Sequence, residues 1–205
     1  MSTPGAILTT YDSVADLFDA QRDRSLYERR WLDRWLGTAP RGAGGTRVLD
    51  LGCGTGRPIA AYLAERGAAV TGVDGAPRML ERFRANVPAA RAVEADMRGL
   101  QLGERFDAIL AWDSFFHLAA GDQRAMFGTF AGHAAPRAAL MFTSGTSAGT
   151  AMGEVGGQPV FHESLDPDEY RALLDEAGFA VVDMRMEDPD CGGRTVWLCR
   201  ARPAP

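Results

Sequence analysis

The stretch Val48-Leu49-Asp50-Leu51-Gly52-Cys53-Gly54-Thr55-Gly56 constrains the fold of this chain more than any other, because an apolar run ends in an acid and passes into three glycines at alternate positions. Glycine reaches backbone conformations closed to other residues and leaves the main chain bare. The pattern therefore predicts a buried strand turning sharply into a helix, with backbone exposed where a ligand can approach. Arg57 and Pro58 open that helix, the proline sitting where a missing N–H costs nothing, and Gly67 closes it. Such a turn also occurs as a plain tight turn in α/β proteins, so the neighbouring segments have to decide.

Ala69-Val70-Thr71-Gly72-Val73 reads as a second apolar strand ending at Asp74, about 20 residues past the glycines, where an α/β fold of this kind sets an acid that can accept two hydrogen bonds from a vicinal diol. Ala92-Val93-Glu94-Ala95 leads into Asp96-Met97, an acid followed by a soft apolar side chain, and Phe106-Asp107-Ala108-Ile109-Leu110-Ala111-Trp112 is a fourth strand. The expected elements are strands near 46–51, 69–73, 91–95, 106–112 and 138–143, with helices near 57–66, 77–86 and 121–133. Strand and helix alternation calls for a parallel sheet covered on both faces, with ligands outside the carboxyl ends of the strands. The glycines, Asp74, Asp96 and Trp112 all fall at that edge.

Ahead of the first strand, Val14, Leu17 and Phe18, then Tyr27, Trp31 and Trp35, recur at helical spacing around a polar Gln21-Arg22-Asp23-Arg24 break. Two helices or a bend are expected, with Ser25 to Glu28 spaced as a capping box. Arg41 to Gly45 reads as a short connector. Residues 144–163, rich in Gly, Ser and Thr without clear periodicity, are expected to be a long active-site loop that serves as a lid. Asp166-Pro167-Asp168-Glu169 then caps a helix carrying Tyr170, Leu173 and Leu174, and the strands 179–184 and 194–199 close the chain.

In this order and spacing, the glycine loop, Asp74, Asp96-Met97 and the fourth strand resemble the class I S-adenosylmethionine (SAM)-dependent methyltransferases. The likeness covers nearly the whole chain, with its sharp motifs inside residues 48–118. It implies an α/β, Rossmann-like, doubly wound, seven-stranded and mostly parallel sheet, a C-terminal antiparallel strand pair, and N-terminal lid helices over 1–40, all in one domain spanning 1–205. By resemblance, Asp74 takes the ribose hydroxyls, Asp96 accepts from the adenine amino group and Met97 packs on the ring. The same resemblance carries cofactor contacts to Asp50, Gly52, Cys53, Gly54, Gly75, Met79 and Trp112. It sets Tyr11 over the methyl donor and lets Arg57 reach the donor's carboxylate. The implied cofactor is SAM, with S-adenosylhomocysteine (SAH) as product.

For chemistry, Trp112-Asp113-Ser114-Phe115-Phe116-His117 is the richest segment. If it starts a helix, Asp113 and His117 share a face, and the carboxylate could orient the imidazole as a general base. A hydrogen-bonded core histidine and an N-capping Asp113 fit the same residues equally well. His162, at the end of the expected lid with Glu163 beside it, is the second candidate for the catalytic role, and a surface histidine before a helix cap fits it as well as a substrate contact. His133 falls at a helix end away from the site. Trp112, Phe115 and Phe116 could wall an apolar acceptor pocket or serve as core packing.

The net charge of −5 and pI near 5.2 argue against a broad phosphate-binding surface, so nucleic acid is a poor acceptor. With no apolar run of about 18 residues and no signal-like N-terminus, neither a membrane partner nor export is expected, and the reading is cytoplasmic. Cys53, Cys191 and Cys199 lack metal or disulfide spacing, and no metal is expected. The expected activity is methyl transfer to an O or N atom of a small molecule. Two alternatives stand: an NAD-dependent oxidoreductase, whose fingerprint wants its third glycine where this chain has Arg57, and a SAM-binding protein without catalysis.

Overall fold

The computed structural model describes residues 2–40 and 44–203, so most of the expected connector at 41–45 lies outside the described residues. Two helices, α1 (Ile7–Gln21) and α2 (Arg29–Thr38), precede strand β1 (Arg47–Leu51). The chain then alternates through α3 (Ile59–Glu65), β2 (Ala69–Asp74), α4 (Pro77–Asn86), β3 (Arg91–Glu94) and β4 (Phe106–Ala111). A 3₁₀ turn at Phe115–His117 leads to α5 (Ala120–His133) and β5 (Ala134–Ser144). A hairpin of β6 (Gly149–Val155) and β7 (Gln158–Ser164) follows, then α6 (Pro167–Glu176), β8 (Phe179–Asp188) and β9 (Arg194–Ala201).

The main sheet has seven strands in the order β3-β2-β1-β4-β5-β9-β8. The first five are parallel, while β9 runs antiparallel to β5 and β8 antiparallel to β9. This is the expected doubly wound, Rossmann-like sheet with its C-terminal antiparallel pair. The strand order reverses between β1 and β4, and that reversal opens a crevice at their carboxyl ends.

Both faces are buried, as the continuous apolar runs in β1, β4 and β5 require. On one face Phe115, Phe127, Phe130, Phe142, Tyr170 and Trp197 form a closed aromatic cluster, with Phe142 and Trp197 stacked 5.7 Å apart across the β5–β9 pair. On the other face α2, α3 and α4 cover the sheet with Trp31, Leu32, Trp35, Leu63 and Phe83. Each such side chain contributes about 1.5–3 kcal/mol by leaving water.

Two local expectations are corrected. The Ser25–Glu28 capping box does not form: Ser25 donates to Asp23, and Glu28 is fully buried against Arg22 at 2.7 Å. An ion pair recruits the glutamate away from the helix end. The 144–163 segment is not a loop, since most of it is the β6–β7 hairpin. Its two-residue turn, Gly156-Gly157, holds both φ values positive, at +54° and +76°, as a tight hairpin demands.

Helix α1 lies along α4, where Asp16 pairs with Arg78 and Arg82, Asn86 donates to Asp19, and Asp12 accepts from the Arg78 N–H. These contacts are mostly exposed and screened by water, so each contributes little. Helix α1 and the hairpin together stand over the crevice, with Val14 and Leu17 against Gly156.

Candidate active site

The cavity under these two covers has a volume of about 520 Å³, within the usual range of about 300–1,000 Å³ for small-molecule sites. Its floor is the turn after β1. Gly52 and Cys53 both donate their N–H groups to the Val73 carbonyl, at 2.8 and 3.1 Å, which locks the loop to β2. Gly52 has φ +75°, and a Cβ there would stand 2.3 Å from that of Ser114, so only glycine fits. Gly54 has φ +53°, a Cβ there would meet only the Phe18 ring edge at 3.7 Å, and the residue lines the cavity. Cys53 lines the cavity with its backbone, because its thiol turns toward Gly72 and burial raises its pKa well above the ordinary value.

Three carboxylates stand along this floor in different states. Asp50, 4% exposed, receives no hydrogen bond from any described residue; burial and the nearby Asp74 charge push its pKa up to about 7. Asp74 accepts from the N–H groups of Gly54 and Ala76, each at 2.9 Å, yet burial still raises its pKa. Each of its oxygens keeps a free lone pair for a donor in the cavity. Asp96 is gripped by the Arg98 guanidinium, which overcomes partial burial and lowers its pKa. Met97, Met79, Gly75, Arg57 and Trp112 also line the cavity, so every cofactor-contact residue expected from the sequence faces one space. The Trp112 indole N–H is buried without a partner among the described residues.

The other end is built around histidines. His117 lies in the 3₁₀ turn, buried, with Nδ1 2.8 Å from the Phe161 carbonyl and Nε2 2.9 Å from the Tyr11 hydroxyl. A carbonyl only accepts, so Nδ1 carries the proton and Nε2 receives one from Tyr11. Burial pulls the His117 pKa down to about 4. The ring is thus neutral at physiological pH with both nitrogens engaged, which is the expected alternative of a hydrogen-bonded histidine. The expected Asp113–His117 pairing does not form. Asp113 has φ +47° and is not helical, and its carboxylate is bound by Arg194 Nε and Nη2 at 2.9 and 2.8 Å. The 3₁₀ turn starts two residues later, so the four-residue spacing never becomes a shared face.

His162, on β7, faces the same cavity and packs on His117 and Phe116 at ring-centroid distances of 4.8 and 4.7 Å. Of the aromatic residues after β4, Trp112 and Phe116 wall the cavity, while Phe115 is core. His133 is spent on Leu102 and Thr129 elsewhere.

Sequence reasoning missed Arg22, Arg98 and Arg194. Arg22 bonds Tyr27 and Glu28, and Arg194 lies over the Tyr27 ring at 4.8 Å. Arg194 is defined by Asp113, 81 residues away in the chain, whereas Arg98 and Arg22 bond to near neighbours in sequence that carry no recognisable motif. Among the described residues no group of three or more His, Cys, Asp or Glu could hold a metal, and no helix is long and apolar enough to cross a membrane.

Residues 48–137 match the family profile described as a methyltransferase domain. Among curated proteins, the chain is 45% identical over 65 residues to trans-aconitate 2-methyltransferase of Enterobacter sp. (strain 638), covering 31% of this chain and 26% of that protein. It is 31% identical over 137 residues to 27-O-demethylrifamycin SV methyltransferase of Amycolatopsis mediterranei (strain S699), covering 57% and 50%. The chain thus spans half or less of the length of these relatives. Among solved structures, the 1,6-didemethyltoxoflavin-N1-methyltransferase of Burkholderia thailandensis, with 1,6-didemethyltoxoflavin and SAH bound, superposes with TM-score 0.73 at 22% identity, over 98% of this chain and 92% of that one. The SAM-bound amino pentose methyltransferase CalS10 of Micromonospora echinaspora gives 0.70 at 20% identity, over 91% and 94%. Residues 48–137 are thus similar to the methyltransferase-domain family, and the chain has the fold of the SAM-dependent methyltransferases it superposes on.

Proposed function

We propose that this protein transfers the methyl group of SAM to an O or N atom of a small molecule. The observation that carries the reading is Asp50, a buried carboxylate at the end of β1 with no hydrogen bond from the described residues, beside a glycine turn that presents bare backbone to the same cavity. A buried carboxylate in that position calls for a cationic partner, and SAM is a cation with an ammonium and a sulfonium. The free lone pairs of Asp74 suit a ribose diol, and Met79 and Met97 offer apolar surface to a purine ring. When bound, SAM supplies a methyl group already activated by its sulfonium, so the protein's task is to hold, orient and dry the reactants.

Asp50 and Asp74 would hold the donor, the Gly52–Gly54 backbone would admit it, and Tyr11 with the hairpin would exclude water above it. Trp112, Phe116 and Tyr11 give the acceptor end π-faces that favour a cation. A small acceptor fits the cavity of about 520 Å³ and the absence of a strong positive charge in the composition. Calorimetric titration with SAM, SAH and NAD tests the reading. SAM and SAH should bind at one site and NAD should not; heat from NAD, or none from SAM and SAH, overturns it.

A further inference from the structure

His162 is the one histidine at the cavity whose ring receives no hydrogen bond from a described residue, although everything around it is pinned. The Phe161 carbonyl on one side is held by His117 Nδ1–H. On the other side the Glu163 carboxylate accepts from the Ala120 N–H at 2.7 Å, and the Glu163 carbonyl accepts from buried Gln123 at 2.8 Å. The ring itself is clamped edge-on by His117 and Phe116. It lies over Gly153 of the paired strand, where a Cβ would come within 2.5 Å of Cε1 and 2.9 Å of Nε2. Backbone and ring plane are therefore fixed while both nitrogens stay uncommitted, in a cavity that Tyr11, Phe116 and Trp112 also line.

A side chain that served only packing would not need two unpaired nitrogens beside a cavity. We propose that His162 is the proton acceptor for the transferred-to atom, and that the acceptor presents an O–H or N–H to it. The inference rests on the methyltransferase reading and deepens it. The acceptor's X–H bond breaks and its proton passes to the free ring nitrogen, giving an imidazolium that returns the proton to water. The electron pair left on X forms the new bond to the methyl carbon, whose former bonding pair stays on sulfur.

The electrostatics agree. The charge that acts on the ring is Asp113, already paired with Arg194; Arg22 and Glu154 also line the cavity, and the neighbouring titratable rings are neutral His117 and Tyr11. Burial lowers the His162 pKa more than Asp113 raises it, so the ring is unprotonated and able to take a proton near neutral pH. Gly153 is a positioning residue, leaving room for the ring.

The test uses the full chain with methyl-tritiated SAM and a panel of phenols, ring N–H heterocycles, aliphatic amines and carboxylic acids, alongside calorimetry with SAM. For H162A and H162Q, methylation of an O–H or N–H acceptor should fall about 100-fold or more with SAM affinity unchanged. The wild-type kcat/KM should rise with pH and level above a pKa below 6.5. G153A should lower kcat without changing SAM affinity, by displacing the ring. In the SAH complex, the imidazole signals of His162 followed by NMR should titrate below 6.5 and move when 4-nitrophenol is added. Variants within threefold of wild type, methyl transfer to carboxylates alone or to no panel member while SAM binds, or an unresponsive His162 signal overturn the assignment and leave the cofactor reading standing. Failure of SAM itself to bind overturns the cofactor reading instead.

Discussion

Replacing Asp50 by asparagine should stabilise the protein without ligand, and more so as pH rises. In the folded chain the Asp50 pKa is about 7, against an ordinary value of 3.8, because the carboxylate is buried beside Asp74. The folded state therefore keeps a proton that the unfolded chain releases, so this group lowers stability as pH climbs from about 4 and levels off above about 7. A shift of that size corresponds to a penalty of about 4 kcal/mol at high pH, at about 1.4 kcal/mol per unit. Between pH 5.5 and 8.5 the penalty grows by about 2 kcal/mol, which the asparagine escapes. For a domain of this size that is a differential melting shift of about 4–8 °C. Asp74 is present in both proteins, so most of its own titration cancels in the comparison. Thermal melts of wild type and D50N across that pH range measure the difference directly. Bound SAM should reverse the order, because a cation beside the ionised carboxylate recovers the penalty, and calorimetry in buffers of different ionisation enthalpy should show proton release on binding near pH 6. A wild-type-minus-variant difference that stays flat with pH would refute the assignment of a strained, unpaired carboxylate at this position.

Three further outcomes follow from the same geometry. D74A should weaken SAM binding by about 10- to 100-fold, through the lost ribose bonds and the freed Gly54 and Ala76 N–H groups; calorimetry giving an unchanged affinity removes Asp74 from the site. G54V places a β-branched residue at φ +53° beside the donor and should abolish SAM binding while the far-ultraviolet circular dichroism persists; retained binding counts against the loop as the donor's seat. F142A empties the centre of the aromatic cluster and should cost about 3–5 kcal/mol in urea unfolding, and a loss below about 1 kcal/mol would show that β5 and β9 are held by other contacts.

The sheet and the donor end of the cavity are legible in the sequence because their signals are local. An apolar run, an acid and a glycine sit next to one another in the chain and stay next to one another in space. The hairpin is illegible by periodicity because most of β6 and the first two residues of β7 are exposed and the rest of β7 is largely half-buried, so no apolar alternation marks them; only Gly156-Gly157 betrays the turn. Asp113 shows the opposite failure. Its four-residue spacing from His117 carries meaning only on a helix, but Asp113 has a positive φ and its carboxylate goes to Arg194, 81 residues away in the chain. Arg194 is invisible for the same reason.

The His117 ring joins Tyr11 of α1 to the Phe161 carbonyl of the hairpin through one imidazole. The two roofs over the cavity consequently share this imidazole as a polar pin. Lifting the helix strips Nε2 of its donor, and lifting the hairpin strips Nδ1–H of its acceptor, so either movement leaves a buried nitrogen bare and weakens the other's hold. Entry from above is thereby a concerted event, and amide exchange in residues 7–21 and 149–164 should quicken or slow together when the cavity empties or fills.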